Sequence, residues 1–125
     1  MKNNLFGWIE IPVNDMDRAI AFYEEVFQLK IDKVDFGGML MGWFPSADQN
    51  VYGATGTLIQ QESYIPSHEG TMVYFNCDDV QNELDRVEKA GGKIIQGKSQ
   101  ISEEHGYMGT FQDSEGNRLA LHSQA

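Results

Sequence analysis

The sequence of 125 residues has one cysteine, few basic residues and no long apolar run. The single cysteine, Cys77, excludes an intrachain disulfide and is interpreted as a small buried hydrophobe. Nine lysines and arginines stand against nineteen aspartates and glutamates, which gives a formal net charge of -10. The electrostatic field of this negative net charge repels phosphate groups, so we expect neither nucleic acid nor an anionic membrane surface as a partner.

The sequence also predicts no targeting or anchoring segment. No stretch approaches the roughly 18 apolar residues of a membrane span, and the N-terminal apolar stretch is broken at Glu10 without a small-residue cleavage site. We therefore expect a cytoplasmic protein. The P-loop, the dinucleotide-binding glycine motif, zinc-type Cys/His spacing and the nucleophile elbow are absent too, so the commonest cofactor and nucleophile signatures are lacking.

What the sequence does contain is one motif that occurs twice, since Trp8 and Met72 open similar segments 64 positions apart. Each copy begins with an apolar run and continues into a stretch with apolar residues at helical spacing. Asn14 or Asp15 is placed to cap the first helix, and the second helix begins at Asp79. A strand–helix–strands unit used twice predicts two pseudo-symmetric modules.

The full pattern predicts the order βαβββ in each module, with helices at 14–28 and 79–90. The predicted strands cover 6–13, 29–35, 39–44, about 52–60, 71–77, 93–97, 107–112 and 118–123. The polar segment 61–69 is interpreted as a linker between repeats at about 6–60 and 70–123 within one domain, 1–125. We predict an α+β fold in which two tandem βαβββ modules form curved half-barrel sheets around a cleft, with the helices outside.

Five short segments in this order resemble one protein family. They are Ile11-Pro12-Val13-Asn14-Asp15, Arg18-Ala19 with Phe22-Tyr23, Asp78-Asp79-Val80, Gly91-Gly92-Lys93 and the segment from Phe111 to Asn117. The sequence resembles the vicinal oxygen chelate superfamily of glyoxalase I, bleomycin-resistance proteins and extradiol dioxygenases. It looks most like the bacterial branch related to lactoylglutathione lyase, and the resemblance covers nearly the whole chain.

The resemblance implies four metal-ligand positions, normally His, Glu or Gln, on the first and fourth strands of each module. In this sequence they fall on Trp8, Gly56, Met72 and Ala120, with Gly56 placed to within a residue or two. None of these side chains supplies an oxygen or an imidazole nitrogen, and a thioether is too soft for the metals of this family. The metal-dependent mechanism therefore cannot be carried over, and we expect neither a metal nor another cofactor.

Polar groups remain near those positions. Because strand side chains alternate, Glu10 shares a face with Trp8, and His122 shares one with Ala120. Glu10 and His122 are candidates for a catalytic acid–base pair, and the other interpretation is a polar pair at a cavity edge or dimer contact. The predicted ligand-binding residues are Trp8, Glu10, Met41, Trp43, Gly56, Met72, Tyr74, Ala120 and His122.

Two functions follow from these residues. The first is a glyoxalase/bleomycin-resistance-like protein that binds a small apolar or aromatic molecule in the cleft without the metal of the family. The alternative is a lactoylglutathione-lyase-related enzyme of lyase, isomerase or dioxygenase type, which uses a displaced metal or the Glu10/His122 pair. Trp8 could also fill the vacated metal position as a structural plug. The resemblance further implies a homodimer that pairs modules across subunits.

Overall fold

The structure, a computed structural model, describes residues 5–47 and 53–125. In chain order its elements are β1 (Trp8–Pro12), α1 (Met16–Phe27), β2 (Asp32–Phe36), β3 (Met39–Trp43), β4 (Thr55–Gln60), β5 (Tyr74–Asn76), α2 (Val80–Val87), β6 (Lys93–Ser102), β7 (Gly106–Gln112) and β8 (Arg118–Ser123). Both predicted helices are present. Helix α2 is shorter than predicted, because it ends at Val87 and not near residue 90.

The strands form two four-stranded sheets and no closed barrel in the described part of the chain. Sheet A has the order β1-β4-β3-β2, and sheet B has the order β5-β8-β7-β6. In each sheet the first strand of the module runs parallel to the fourth, while the other neighbours are antiparallel. The same topology in both halves confirms the predicted α+β fold of two βαβββ modules. No helix in the described ranges is long and apolar enough to cross a bilayer.

Both helices begin at an aspartate in extended conformation. The Asp15 carboxylate accepts a hydrogen bond from the Arg18 backbone N–H at 3.1 Å. The Asp79 carboxylate accepts one from the Gln81 backbone N–H at 2.9 Å. Each carboxylate satisfies a free N–H at the positive end of the helix dipole. Of the two residues proposed to cap α1, the structure therefore selects Asp15.

The hairpin between β2 and β3 turns at Gly37 and Gly38. Both glycines have positive φ, 61° and 99°. A two-residue turn with two left-handed residues matches the right-handed twist of the strands on either side, and glycine adopts this conformation without strain. The Gly38 N–H also donates to the Asp35 carboxylate at 2.9 Å.

The two modules meet through their helices. Helix α1 packs on β3 and β4, α2 packs on β6, β7 and β8, and the two helices contact each other. No Cα of β1 lies within 8 Å of a Cα of β5, although both strands are described. A cluster of aromatic rings lies between the modules, and the centroids of its paired rings are 4.6–6.4 Å apart. Its members are Phe22, Tyr23, Phe27, Phe44, Phe75 and Phe111. The first strands of the modules are thus not neighbours within one chain.

Several strand bounds differ from the sequence prediction, among them those of β4, β5 and β6. Strand β5 begins at Tyr74, so Met72 precedes the strand instead of lying on it. Strand β6 runs from 93 to 102 and not to 97, because it stays paired with β7 through three register irregularities. Such irregularities interrupt the alternation of side chains, so the sequence pattern does not reveal them. Strand β4 begins at Thr55, and the predicted start near 52 lies outside the described residues.

Candidate functional site

Each sheet has one face covered by the helices and one that faces away from them, which we call its open face. In β1, Ile9 and Ile11 contact the core, so the alternating residues Trp8 and Glu10 lie on the open face of sheet A. In β5, Tyr74 has the same position on sheet B. Trp8 is 61% exposed and Tyr74 is 51% exposed. Each open face therefore has a large aromatic side chain that is more than half exposed to solvent.

Small buried residues form the floor beside these aromatic side chains. Glu10 pairs with Thr57, and Tyr74 pairs with Ala120. Because Glu10 and Tyr74 are equivalent positions of the repeat, Thr57 is the structural counterpart of Ala120. The predicted counterpart, Gly56, is one residue out of register, and both Thr57 and Ala120 are fully buried.

Gly56 lies where β1 and β4 come close together. It pairs with Ile9, and a Cβ added to it would lie 2.6 Å from the Ile9 carbonyl oxygen. A side chain at this position would push β1 and β4 apart. The close approach of the two strands accounts for the glycine.

The residues at the implied metal positions do not fit a metal. Trp8, Met72 and Ala120 offer an indole, a thioether and a methyl group. Thr57, which replaces Gly56 in the structural register, donates its hydroxyl to the Leu58 carbonyl at 2.8 Å. Across 5–47 and 53–125, no cluster of three or more His, Cys, Asp or Glu side chains could hold an ion. The chemistry of the donor set therefore differs from the His, Glu or Gln set that the resemblance implies.

Trp8 does not fill the vacated metal position in the single chain. Its indole Nε1 donates to Glu10 Oε2 at 3.4 Å, and the residue stays exposed. Glu10 is exposed as well, so its charge remains hydrated and needs no buried cation. The pair leaves an indole face and a carboxylate side by side on the open face of sheet A.

Glu10 and His122 are not joined in the single chain. His122 Nε2 lies 2.6 Å from the His105 carbonyl oxygen. A carbonyl oxygen only accepts, so Nε2 carries the proton, and in the neutral ring Nδ1 is then the acceptor. Glu10 lies on sheet A and His122 on sheet B, and no hydrogen bond links them among the described residues.

The remaining predicted ligand-binding residues divide between the sheets. Trp43 pairs with Thr57 and lies half-buried on the open face of sheet A. Met41 lies on the same face and is buried, with 8% of its surface exposed. Met72 is half-buried ahead of β5. The structure adds Thr110 and Asn76, which pair with Ala120 and His122 on sheet B. Strand alternation in the correct register would have identified these two and Thr57.

A second group of polar residues, which we call the polar seam, joins the modules. It consists of Arg18, Tyr23, Asp113, Glu115 and Asn117. The Tyr23 hydroxyl donates to Asp113 Oδ2 at 2.7 Å, and Asn117 Nδ2 donates to the same oxygen at 3.0 Å. Burial, followed by the Asp113 charge, raises the pKa of Tyr23 well above its usual value. The phenol therefore stays protonated and acts as a permanent donor.

Glu115 is the centre of the polar seam. Arg18 Nε donates to its Oε2 at 2.7 Å, and the backbone N–H groups of Asn14 and Asp15 both donate to its Oε1 at 2.8 Å. Burial alone would raise the pKa of Glu115, but the hydrogen bonds from Arg18 and from the backbone lower it below the usual value. The ionised carboxylate thus holds the N-terminal end of α1 against the loop before β8.

Cys77 is unsuited to nucleophilic chemistry. Burial, and then the Glu83 carboxylate, raises the pKa of its thiol to about 12. The thiol is consequently protonated near neutral pH, whereas the thiolate is the reactive form. Its backbone N–H donates to the His122 carbonyl at 2.8 Å, which is a sheet contact and not a catalytic one.

Comparison with known proteins places this geometry in a family. The model of the Glyoxalase/Bleomycin resistance protein/Dioxygenase superfamily matches residues 5–121. A glyoxylase-like domain-containing protein from Didymella fabae is 29% identical over 118 residues, which cover 90% of this chain and 88% of that protein.

Solved structures share the fold at low sequence identity. A glyoxalase I mutant from Zea mays superposes with a TM-score of 0.71 at 20% identity, and the match covers 94% of this chain but only 46% of the maize chain. A glyoxalase/bleomycin resistance protein from Albidiferax ferrireducens T118 has a TM-score of 0.69 at 16% identity, with 98% and 100% of the two chains covered. This chain thus spans about half of the maize enzyme and the whole of the bacterial protein. It belongs to the Glyoxalase/Bleomycin resistance protein/Dioxygenase superfamily.

Proposed function

We propose that this protein binds a small flat molecule, apolar or partly cationic, on the open faces of its sheets and does so without the metal of its family. The observation that carries the proposal is the replacement of all four implied metal ligands beside exposed aromatic side chains. Trp8 and Tyr74 keep more than half of their surface in solvent. Exposed apolar side chains that form a contiguous patch mark interaction sites, and the dimer proposed below would bring these two together.

The side chains around this position favour a planar guest. The Trp8 indole and the Tyr74 phenol provide flat apolar surfaces that stack on rings and attract cations through their π faces. Glu10 adds a carboxylate, which is exposed and hydrogen-bonded only to Trp8 among the described residues. A cationic group on the guest would form a charge-assisted hydrogen bond with this carboxylate and fix its orientation.

A complete site requires a second copy of the chain, and we propose a cytoplasmic homodimer. Trp8 and Glu10 lie on sheet A, whereas Tyr74 lies on sheet B, and the first strands of the two sheets are apart within one chain. A twofold axis that lays sheet A of one copy against sheet B of the other would create two identical sites. Leu5 and Phe6, which are 80% and 78% exposed, would be covered in such a dimer.

Binding is tested by thermal shift with a panel of planar aromatic cations and neutral aromatic compounds, in buffer that contains EDTA. A ligand that binds only the native state raises its melting temperature in proportion to the logarithm of ligand concentration. We expect a hit with the wild-type protein and its loss in Trp8→Ala and Glu10→Ala. Phe36→Ala is the matched control, because Phe36 is an aromatic residue with 56% exposure on β2. Loss of the shift in EDTA, or equal shifts in Trp8→Ala and Phe36→Ala, would contradict the proposal.

The dimer is tested by light scattering at micromolar concentration. We expect twice the chain mass, and a mass near 14.1 kDa would reject the dimer. Elemental analysis of the purified protein, together with an assay for Ni²⁺- or Zn²⁺-dependent turnover of a hemithioacetal, separates the binding protein from the enzyme. Stoichiometric metal with turnover would establish the lyase alternative in place of the proposed function.

A further inference from the structure

A groove of about 310 Å³ lies between β1 and the segment that links the two modules. Its walls are the β1 residues 9–12, the linking residues 65–73 and the start of β8 at 117–119, and we call it the linker groove. Trp8, Tyr74 and His122 do not line it. It is therefore a different place from the aromatic site of the open faces, with Glu10 as the one residue in common.

The linker groove contains an arginine whose donors are largely unused. Arg118 Nε is shielded from solvent and has no acceptor among the described residues. The one hydrogen bond of its side chain there is a long contact of 3.5 Å from Nη2 to the Gly70 carbonyl. A guanidinium carries five N–H donors, and leaving a shielded donor without an acceptor is unfavourable. A rotation of the guanidinium toward an acceptor in the groove would relieve this deficit.

Two carboxylates line the same groove without pairing with that arginine. Glu10 and Glu69 both belong to its walls. None of the ion pairs within 5–47 and 53–125 includes Arg118, Glu10 or Glu69. Positive and negative groups thus face one cavity while separated by more than the distance of a salt bridge, which leaves room for a guest that carries both charges.

Apolar side chains complete the groove. Ile9, Val73 and Leu119 are partly or fully buried in its walls, and Ile65, at its rim, is 76% exposed. An exposed isoleucine beside a groove loses water when an apolar group packs on it. The volume lies at the lower end of the range for small-molecule sites, which suits a compact guest.

We propose that the linker groove binds a small zwitterion with an apolar side chain, which is the chemistry of a free apolar amino acid. Arg118 holds the carboxylate by paired N–H bonds, Glu69 and Glu10 hold the ammonium group, and the side chain packs on Ile65. A simple anion is disfavoured, because the two carboxylates and the net charge of -10 repel it. A simple cation leaves the Arg118 donors unsatisfied.

Isothermal titration with L-leucine tests this inference on the wild-type protein. The matched ligands are 4-methylpentanoate, which lacks the ammonium group, 3-methylbutylamine, which lacks the carboxylate, and glycine, which lacks the apolar side chain. We expect saturable binding of leucine and a loss of about tenfold or more in affinity for each of the three others, as for the loss of a charge-assisted contact or a packed side chain.

Variants locate the binding and separate it from the open faces. Arg118→Gln and Glu69→Gln should each weaken leucine binding by about tenfold, whereas Trp8→Ala and Glu103→Gln should leave it unchanged. Glu69 is exposed and carries no ion pair among the described residues, so we expect Glu69→Gln to fold normally. This variant therefore tests the proposal even if Arg118→Gln does not fold. Absence of saturable binding up to about 10 mM leucine, equal affinity for 4-methylpentanoate, or unchanged binding in both variants would overturn the proposal. None of these results tests the aromatic site, whose ligand binding is measured separately by the thermal shift and its loss in Trp8→Ala.

Discussion

Glu115 and Glu10 are both carboxylates, yet the molecule uses them in opposite ways. Glu115 lies in the polar seam, is 8% exposed and accepts five hydrogen bonds, from Asn14, Asp15, Arg18 and Ser114. Glu10 lies on the open face, is exposed, and accepts one long hydrogen bond from Trp8. The acceptor capacity of the first is filled by the protein, and that of the second is left to solvent or to a guest.

The same contrast holds for the aromatic residues of the two regions. Tyr23 in the polar seam is fully buried with its hydroxyl bonded to Asp113. Tyr74 on the open face is about half exposed. A buried and satisfied group contributes to stability, whereas an exposed and unsatisfied one contributes little to it and remains available for binding. Substitutions in the polar seam should therefore change folding, and substitutions on the open faces should change binding.

The largest effect is expected from Glu115→Ala. It removes the acceptor for the backbone N–H groups of Asn14 and Asp15, just before α1, and the partner of Arg18. We therefore expect a loss of about 2 to 4 kcal/mol in the free energy of unfolding. Urea denaturation measures it. Glu103→Ala is the control, since Glu103 is exposed in the turn before β7. A loss below about 0.5 kcal/mol, the usual range for surface substitutions, would show that the polar seam does not stabilise the fold.

Tyr23→Phe should have the next largest effect. The ring packing is kept, but Asp113 loses the 2.7 Å hydrogen bond while it stays buried. We expect a loss of about 1 to 2 kcal/mol. Tyr107→Phe is a suitable comparison, because its ring lies under Lys98 and the structure assigns its hydroxyl no hydrogen bond among the described residues. Equal stability of the two variants would show that the Tyr23 hydroxyl contributes nothing.

A smaller effect is expected from pH. The pKa of Glu115 is lower in the folded protein than its ordinary value of 4.5. Its ionised form therefore stabilises the fold above pH 4.5, and this contribution is lost as the pH falls from there through the folded pKa. Glu115→Gln lacks the titration, so the stability gap between wild type and Glu115→Gln should narrow between neutral pH and acid. A gap that is constant over this range would contradict the assignment.

The smallest effect on folding is expected on the open face. Trp8→Ala removes a side chain that is 61% exposed, so the free energy of unfolding should change by no more than about 0.5 kcal/mol. The measurement is made at low protein concentration, where a dimer contributes least. A large loss there would mean that Trp8 supports the fold of the single chain, and the contrast with the polar seam would fail.

Local sequence signals predicted the elements of this fold well. A cap at Asn14 or Asp15 and a second helix that begins at Asp79 depend on neighbouring residues only, and the structure has Asp15 and Asp79 as the two N-caps. The repeat then predicted the module topology. The length of β6 was missed because pairing with β7, and not a local pattern, extends it through bulges.

The site was predictable only in part, because its register and contacts depend on distant pairing. Gly56 and Thr57 differ by one position in sequence but lie on opposite faces of β4, so a repeat offset of one residue assigns the wrong side chain. Glu115 and Arg18 are 97 residues apart, and nothing local in either segment indicates that they meet. Strand alternation correctly placed Trp8 and Glu10 on one face, and whether they bind a ligand remains a prediction.

Binding on the open face without a metal is tested most directly by a ligand-induced thermal shift measured side by side for wild type, Trp8→Ala and Tyr23→Phe in EDTA. We expect Tyr23→Phe to melt at a lower temperature than wild type but to keep the full shift. We expect Trp8→Ala to melt within a few degrees of wild type, as a change of about 0.5 kcal/mol allows, and to lose the shift. A shift that survives in Trp8→Ala, or that disappears in wild type when metal is chelated, would contradict binding on the open face without a metal.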